Sequence, residues 1–491
     1  MKKPLLLCLF LTAVLFSCDT DFKEDFTVDS IGNVGILEDT GGENYDAIVE
    51  NPFVLTTEES TSTFSIDADG GAYANVRRYL NDGILPPPNA VRTEELINYF
   101  EYDYPEPTLE DPHPLAIVTE VGACPWTPAH KLIKIGIKGK NIPTENLPPA
   151  NMVFLIDVSG SMSASNKLPL LKEGFKLLAE ELRAEDNVAI VTYAGKAGVA
   201  LPSTSGSQKS KIIKAIDELG AGGSTAGSEG ILTAYEIAEE NFVVGGNNRV
   251  LLASDGDFNV GITSKEDLIK LIEEQREKGI FLTTLGFGSG NLNDANMEQL
   301  ANNGNGTYEY IDDISQARKV FVEEFGKLYT VAKDVKVQID FDPILVKKYR
   351  LIGYENRVLD NQDFEDDKKD AGELGSNQTV TAFYEVELIP RTSYLGIVPL
   401  NVRFRYKLPD SDVSELMVIK AIDYEKEWEE GSENYRFAAS VASFSLLLRD
   451  SQYKGETSYD RILEWASDAT NYDPNGYRFD FLDLIEKAKK L

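Results

Sequence analysis

The chain has 491 residues, with 48 Lys and Arg against 81 Asp and Glu, and a net charge of −33. At roughly 100–200 residues per domain this allows two to four domains with a sizeable core, and so negative a chain repels phosphate backbones, which argues against nucleic acid as a partner. Only His113 and His130 occur, and the only cysteines are Cys8, Cys18 and Cys124. A multi-His zinc site and a disulfide framework are therefore excluded, and a His-based triad has almost no material.

The first element is a processing signal. Residues 1–17 read MKKPLLLCLFLTAVLFS: Lys2 and Lys3 precede an apolar run from Leu5 to Phe16. That run is too short to span a bilayer of about 30 Å comfortably. It ends in Leu15-Phe16-Ser17-Cys18, which resembles the lipobox of bacterial lipoproteins. The resemblance implies that Cys18 is lipidated and becomes the mature N-terminus. The expected address is then the bacterial cell envelope, at the outer membrane, on a face the sequence leaves open. Residues 18–50 are acidic, dotted with Gly and without period, and read as a flexible tether.

Residues 51–146 are expected to hold helices between 71 and 100 and then the first β-strands. Ala116–Val121 is one, and Ile133, Ile135 and Ile137 alternate with Lys134, Gly136 and Lys138 in the next.

From 147 to 330 strand and helix alternate. Met152–Ile156 is an unbroken apolar run, as a strand buried on both faces requires. Leu168, Leu171, Phe175, Leu178 and Leu182 then mark one face of a helix. Strands are expected at Val188–Tyr193, Val199–Leu201, Arg249–Ala253, Phe281–Leu285 and Thr307–Ile311. Helices are expected at Lys211–Leu219, around Ile231–Phe242, after a capping box Thr263-x-x-Glu266, and at Gln316–Tyr329. The alternation predicts an α/β fold with a doubly wound, mostly parallel sheet.

Residues 331–430 return to period-2 patterns. Val335, Val337, Ile339 and Phe341 form one, Val402, Phe404 and Tyr406 another, with further strands at Tyr349–Gly353, Thr379–Leu388 and Leu416–Ala421. Together with the strands before residue 147 they predict a β-sandwich interrupted by the α/β unit; two separate small β units are the alternative. Asn361–Gly375 is expected as an exposed acidic loop. Residues 431–491 read helical, with Phe437, Val441, Phe444 and Leu448 on one stripe, placed to pack on the helices of 71–100.

The site of a doubly wound sheet lies at the carboxyl ends of its strands. Asp157 ends the Met152–Ile156 strand in Asp157-Val158-Ser159-Gly160-Ser161, and Asp255 follows the Arg249–Ala253 strand. Gly222-Gly223-Ser224-Thr225 is a Gly-rich loop before a helix. Carboxylates and hydroxyls make an all-oxygen set suited to Mg²⁺ or Mn²⁺. The five positions Asp157, Ser159, Ser161, Thr225 and Asp255 resemble the metal-ion-dependent adhesion site of von Willebrand factor type A domains. The resemblance implies hydroxyl ligands from Ser159, Ser161 and Thr225, carboxylates from Asp157 and Asp255, and a protein or peptide partner that offers an Asp or Glu to the open metal position. Asp257 lies outside the five. Segments such as Leu85-Pro86-Pro87-Pro88, Glu94–Phe100 and Asp255–Gly261 further resemble a bacterial lipoprotein family that carries one such domain between N- and C-terminal family regions.

There is no Walker phosphate loop, and Gly286-Phe287-Gly288-Ser289-Gly290 lacks dinucleotide-fingerprint spacing and reads as a turn. Two functions remain: a non-enzymatic, lipid-anchored binding module, and a metal-dependent hydrolase or phosphotransferase on the same crevice. Aspartyl-phosphate enzymes use a second Asp two residues on, where this chain has Ser159, and no Lys or Arg stands among the five positions.

Overall fold

The computed structural model describes residues 42–66, 69–108, 110–194, 196–222, 228–256 and 264–491. The signal segment, Cys18 and most of the expected tether lie outside the described residues, as do Thr225, Asp257 and Thr263.

The strands in chain order are β1 (Val54–Leu55), β2 (Thr61–Ser65), β3 (Leu115–Ala123), β4 (Lys131–Gly139), β5 (Ala150–Asp157), β6 (Asn187–Ala194), β7 (Lys196–Ser205), β8 (Asn247–Ser254), β9 (Ile280–Phe287) and β10 (Tyr308–Ile311). They continue with β11 (Thr330–Phe341), β12 (Val346–Ile352), β13 (Val358–Leu359), β14 (Gly372–Gly375), β15 (Thr379–Leu388), β16 (Ile397–Lys407) and β17 (Ser414–Asp423). They form three sheets. One is the α/β sheet, in the order β10-β9-β8-β5-β6-β7, parallel except for β7 at its edge.

Alternation along β5 explains its uninterrupted apolar run. Met152, Phe154 and Ile156 face Leu171, Phe175 and Leu178 of the helix Leu168–Glu181. Val153 and Leu155 face Ile231, Ala234 and Tyr235 of the helix Ser228–Glu240. Both faces are covered, so no residue of β5 is exposed.

The other two sheets are antiparallel, in the orders β1-β12-β15-β4-β3 and β13-β2-β11-β16-β17, with β14 added to β11. Each takes strands from before and after the α/β unit: β4 pairs with β15 along Thr379↔Lys138 to Val386↔Lys131, and β11 pairs with β2. Ile133, Ile135 and Ile137 share one core with Val337, Ile339, Val402 and Phe404 from the opposite sheet. The expected fold class, a doubly wound α/β sheet set within a sandwich-like module and followed by a helical segment, is what the chain forms.

The C-terminal helices Glu433–Leu448, Tyr459–Ser467 and Tyr477–Lys490 carry Phe437, Val441, Phe444 and Phe481 into a core with Tyr73, Val76, Leu96 and Phe100. Those partners come from the helices Gly71–Asn81 and Thr93–Asn98 and the turn after them.

Several elements depart from the sequence reading. β2 reads TSTFS and has only Phe64 as an apolar signal; its place between β11 and β13 comes from backbone pairing and from Phe64, which is buried in the sandwich core. The helix Asp294–Asn303 carries a weak sequence signal because its apolar face is just Ala295, Met297, Leu300 and Ala301. The expected helix Gln316–Tyr329 is a short α-helix, Ile314–Arg318, that widens to a π-turn over Lys319–Glu323 and tightens to 3₁₀ over Phe325–Leu328. The cap of the helix Lys265–Glu277 is Ser264, whose hydroxyl accepts from the Asp267 amide, so the capping residues sit one position later than Thr263 and Glu266. Asn361–Gly375 is not exposed throughout: Phe364 and Leu374 are fully buried and β14 lies inside it.

Candidate metal centre

β5 and β8 are neighbours in the sheet, with Ile156 opposite Ala253, so their last turns of backbone bring Asp157 and Asp255 to the same end. β6 lies on the far side of β5 from β8, which makes this the switch point of the sheet, where the loops diverge and leave a crevice. The strand order therefore places both acids, not the acids' own local sequence.

Asp157 is fully buried. Its Oδ1 accepts from the Ser159 amide at 2.8 Å and its Oδ2 from the Ser254 hydroxyl at 3.4 Å. The first bond is a tight Asx-type turn that folds Ser159 back beside the strand end. Ser159 is buried and its hydroxyl lies 2.9 Å from that of Ser161, which is exposed at the rim. Asp255 is fully buried; its Oδ2 accepts from Lys167 Nζ at 2.8 Å, while its Oδ1 has no hydrogen-bond partner among the described residues. Gly256 follows with φ +106°, and a Cβ there would stand 2.3 Å from the Asn293 nitrogen. Only glycine lets the loop 291–293 close over the strand end.

Four of the five expected positions, Asp157, Ser159, Ser161 and Asp255, thus stand at one strand-end crevice, and Thr225 lies outside the described residues. Burial drives the Asp157 carboxyl above its ordinary range, with the Asp255 charge adding to it. Burial pushes Asp255 the same way, but the hydrogen bond and charge of Lys167 lead a set of influences that bring it below the usual range. Tyr193 is buried beside Asp157; burial first, and then that charge, hold its phenol well above normal. Two carboxylates taken out of water side by side need positive charge close by.

The donor set fits a hard dication, which takes oxygen ligands. Among the described residues no cluster of three or more His, Cys, Asp or Glu is arranged to hold a metal. The fit rests instead on two carboxylates plus hydroxyls.

Lys167 is the residue that motif reading missed. It precedes the helix Leu168–Glu181 and reaches Asp255 across the crevice, with Asn291 Oδ1 accepting its second bond at 3.0 Å. Nothing in the spacing from Ser161 marks it; only the fold of the loop turns it inward. The N-terminal side also meets this place. Glu43 accepts from the Gly290 amide at 2.8 Å, and the Asn44 amide donates to Leu292 O at 2.9 Å.

The two histidines lie in the sandwich. His113 Nδ1 is 2.7 Å from the Tyr406 hydroxyl and His130 Nδ1 2.6 Å from Glu385. Cys124 is free and buried, with burial raising its thiol well above normal.

Three family profiles match in succession: "von Willebrand factor" over residues 39–134, "von Willebrand factor type A domain" over 151–323, and "Uncharacterized protein YfbK, C-terminal" over 326–491. The Escherichia coli K12 protein "Uncharacterized protein YfbK" is 42% identical over 480 residues, covering 92% of this chain and 82% of its own. A UPF0353 protein of Mycolicibacterium gilvum is 32% identical over 152 residues, which are 28% of this chain and 45% of its own. Among solved structures, a von Willebrand factor type A protein from Catenulispora acidiphila is 16% identical, with TM-score 0.46 over 77% of this chain and 91% of its own.

Proposed function

The chain belongs to the YfbK family and carries a von Willebrand factor type A domain, and from that premise we propose that it is a lipid-anchored binding protein of the cell envelope whose metal site takes an acidic group of a protein partner. The observation that carries this reading is the pair of buried carboxylates Asp157 and Asp255 at adjacent strand ends, with Asp255 Oδ1 unpartnered among the described residues. Asp157, Ser159, Ser161, Thr225 and Asp255 would hold Mg²⁺ or Mn²⁺, which supplies a compact positive charge with a position open to an outside carboxylate. The backbone bond from Ser159 fixes the Asp157 carboxylate, and the exposed Ser161 hydroxyl sets the solvent side of the site. At −33 the chain repels acidic partners at long range, so recognition of an Asp or Glu rests on positive charge concentrated at this one place.

Binding is favoured over hydrolysis or phosphoryl transfer by what surrounds the acids. Both histidines are engaged in the sandwich. Lys167 is committed to Asp255 and Asn291 and is not extended toward solvent, where a phosphate would arrive. The membrane anchor is Cys18; among the described residues no helix is long and apolar enough to cross a membrane.

The test is capture of a partner from envelope extracts. It should occur with Mg²⁺, vanish with excess chelator and return on readdition, and the Asp157→Ala chain should capture nothing. Equal capture under chelator would turn attention to the β-rich flanks. Cys18→Ala should shift the chain from the membrane to the soluble fraction, and unchanged fractionation would defeat the lipobox reading.

A further inference from the structure

The metal site contains a cation of its own. Lys167 Nζ sits 2.8 Å from Asp255 Oδ2 and 3.0 Å from Asn291 Oδ1, and the residue is 7% exposed. This is a built arrangement and not a surface lysine folded down. The Lys167 amide donates to Ala164 O, and its own carbonyl accepts from the Leu171 amide, so the backbone is pinned at the start of the helix. The aliphatic stem runs over Gly288, where a Cβ would come within 2.4 Å of Lys167 Cε and 2.5 Å of its Cγ. Gly288 has φ +78°, so glycine there serves the turn and the passage of the stem at once.

Charge makes this placement consequential. Asp157 and Asp255 bring two negative charges, and Lys167 returns one positive charge to Asp255. A dication that uses Asp255 must share that carboxylate with an ammonium or displace it, and either course weakens its binding. Asp157 has no such counter-ion among the described ion pairs.

We propose that Lys167 sets the affinity of the metal site: its ammonium is a tethered competitor that holds the same Asp255 carboxylate a divalent metal requires. This rests on the metal-site reading above and deepens it in one respect. With Lys167 kept in the crevice, the two carboxylates, the ammonium and a dication sum to one positive charge. The loaded site therefore selects an anionic group to complete it, and metal and acidic ligand bind better together than apart.

The experiment is Mn²⁺ titration of the full chain by calorimetry, with melting temperature recorded with and without Mn²⁺. Lys167→Met and Lys167→Gln should bind Mn²⁺ roughly 10–100-fold more tightly than the parent, the order expected from removing a neighbouring like charge at a partly buried site. Lys167→Arg, which keeps the charge, should stay within about threefold of the parent. The neutral variants should melt lower without metal, since they leave Asp255 buried and unpaired, and gain more from Mn²⁺ than the parent does. A variant that folds only in the presence of Mn²⁺ also meets this expectation. Unchanged or weaker Mn²⁺ affinity in both neutral variants overturns the proposal. Asp157→Asn separates this failure from that of the site itself. If it abolishes Mn²⁺ binding while the Lys167 variants leave affinity unchanged, only the competitor role is wrong. If it leaves binding intact, the metal-site reading falls and the competitor role with it.

Discussion

The α/β sheet and the sandwich around it both bury charge, but the strand-end acids of the first and the Glu385 cluster of the second are held differently. In the sandwich, Glu385 is enclosed and fully engaged: it accepts from Arg350 at 2.8 Å, from the Trp126 indole at 3.1 Å, and lies 2.6 Å from His130. Glu120 is likewise held by Lys134, Lys426 and Ser432, tying β3 to the start of the C-terminal helices. In the α/β unit two acids stand together at the strand ends with one ammonium, bound to Asp255, whose Oδ1 has no hydrogen-bond partner among the described residues. Charge held by its own partners ties distant segments together, whereas two acids set side by side at the strand ends call for positive charge from outside.

The largest effect expected from breaking this contrast is at Asp157. Asp157→Ala should lower Mn²⁺ affinity at least a hundredfold by calorimetry, because it removes both a ligand and a charge. Its melting temperature should hold or rise, since a buried carboxylate beside Asp255 is relieved. A stability loss of several kcal/mol would mean that Asp157 is structural.

Glu385→Ala should do the reverse. It strands the Arg350 guanidinium, whose side chain is 2% exposed, and should cost about 3–5 kcal/mol in denaturant unfolding while Mn²⁺ affinity stays at the parent value. A loss below about 1 kcal/mol would show that Arg350 reaches water when its partner goes.

The pH dependence of stability should carry opposite signs in the two regions. Burial raises the Glu120 carboxyl, but Lys134 and the hydrogen bonds from Lys426 and Ser432 outweigh it and bring it down to about 2. Its folded value is below its unfolded one, so its stabilisation is present above pH 4.5 and is lost as pH falls toward about 2. Glu309 on β10 is driven up to about 8, mainly by burial with the Glu324 charge adding. There the folded state holds the proton longer, so its contribution is full below 4.5 and is lost as pH rises toward about 8. Glu120→Gln should flatten the acid limb of an unfolding-versus-pH curve, and Glu309→Gln the neutral limb. Slopes unaltered by either change would defeat the assignment.

The smallest effect is expected at Thr225. Thr225→Ala should weaken Mn²⁺ by less than about tenfold, because a neutral hydroxyl contributes less than a carboxylate, with no change in melting temperature. Affinity identical to the parent would remove Thr225 from the coordinating set.

Sequence alone determined the elements with a strong period. The apolar run of β5, the alternating isoleucines of β4 and the stripe of Phe437, Val441 and Phe444 each state which face is buried, because burial demands one spacing in a strand and another in a helix. The resemblance to a metal-ion-dependent adhesion site grouped Asp157, Ser159, Ser161, Thr225 and Asp255, and the four of them that are described lie at one strand-end crevice. Tertiary structure alone decided the rest. β2 carries no period and is a strand because β11 and β13 satisfy its backbone on both sides. The helix Asp294–Asn303 buries too narrow a face to signal itself, and Ile314–Leu328 changes its winding to keep Phe321, Phe325 and Leu328 against the sheet. Lys167 is held in the crevice by its contacts with Gly288 and Asn291, more than a hundred residues further along the chain. A motif records which side chains a site uses in sequence order. Which charge stands opposite them depends on contacts between distant segments, and those exist only once the chain has folded.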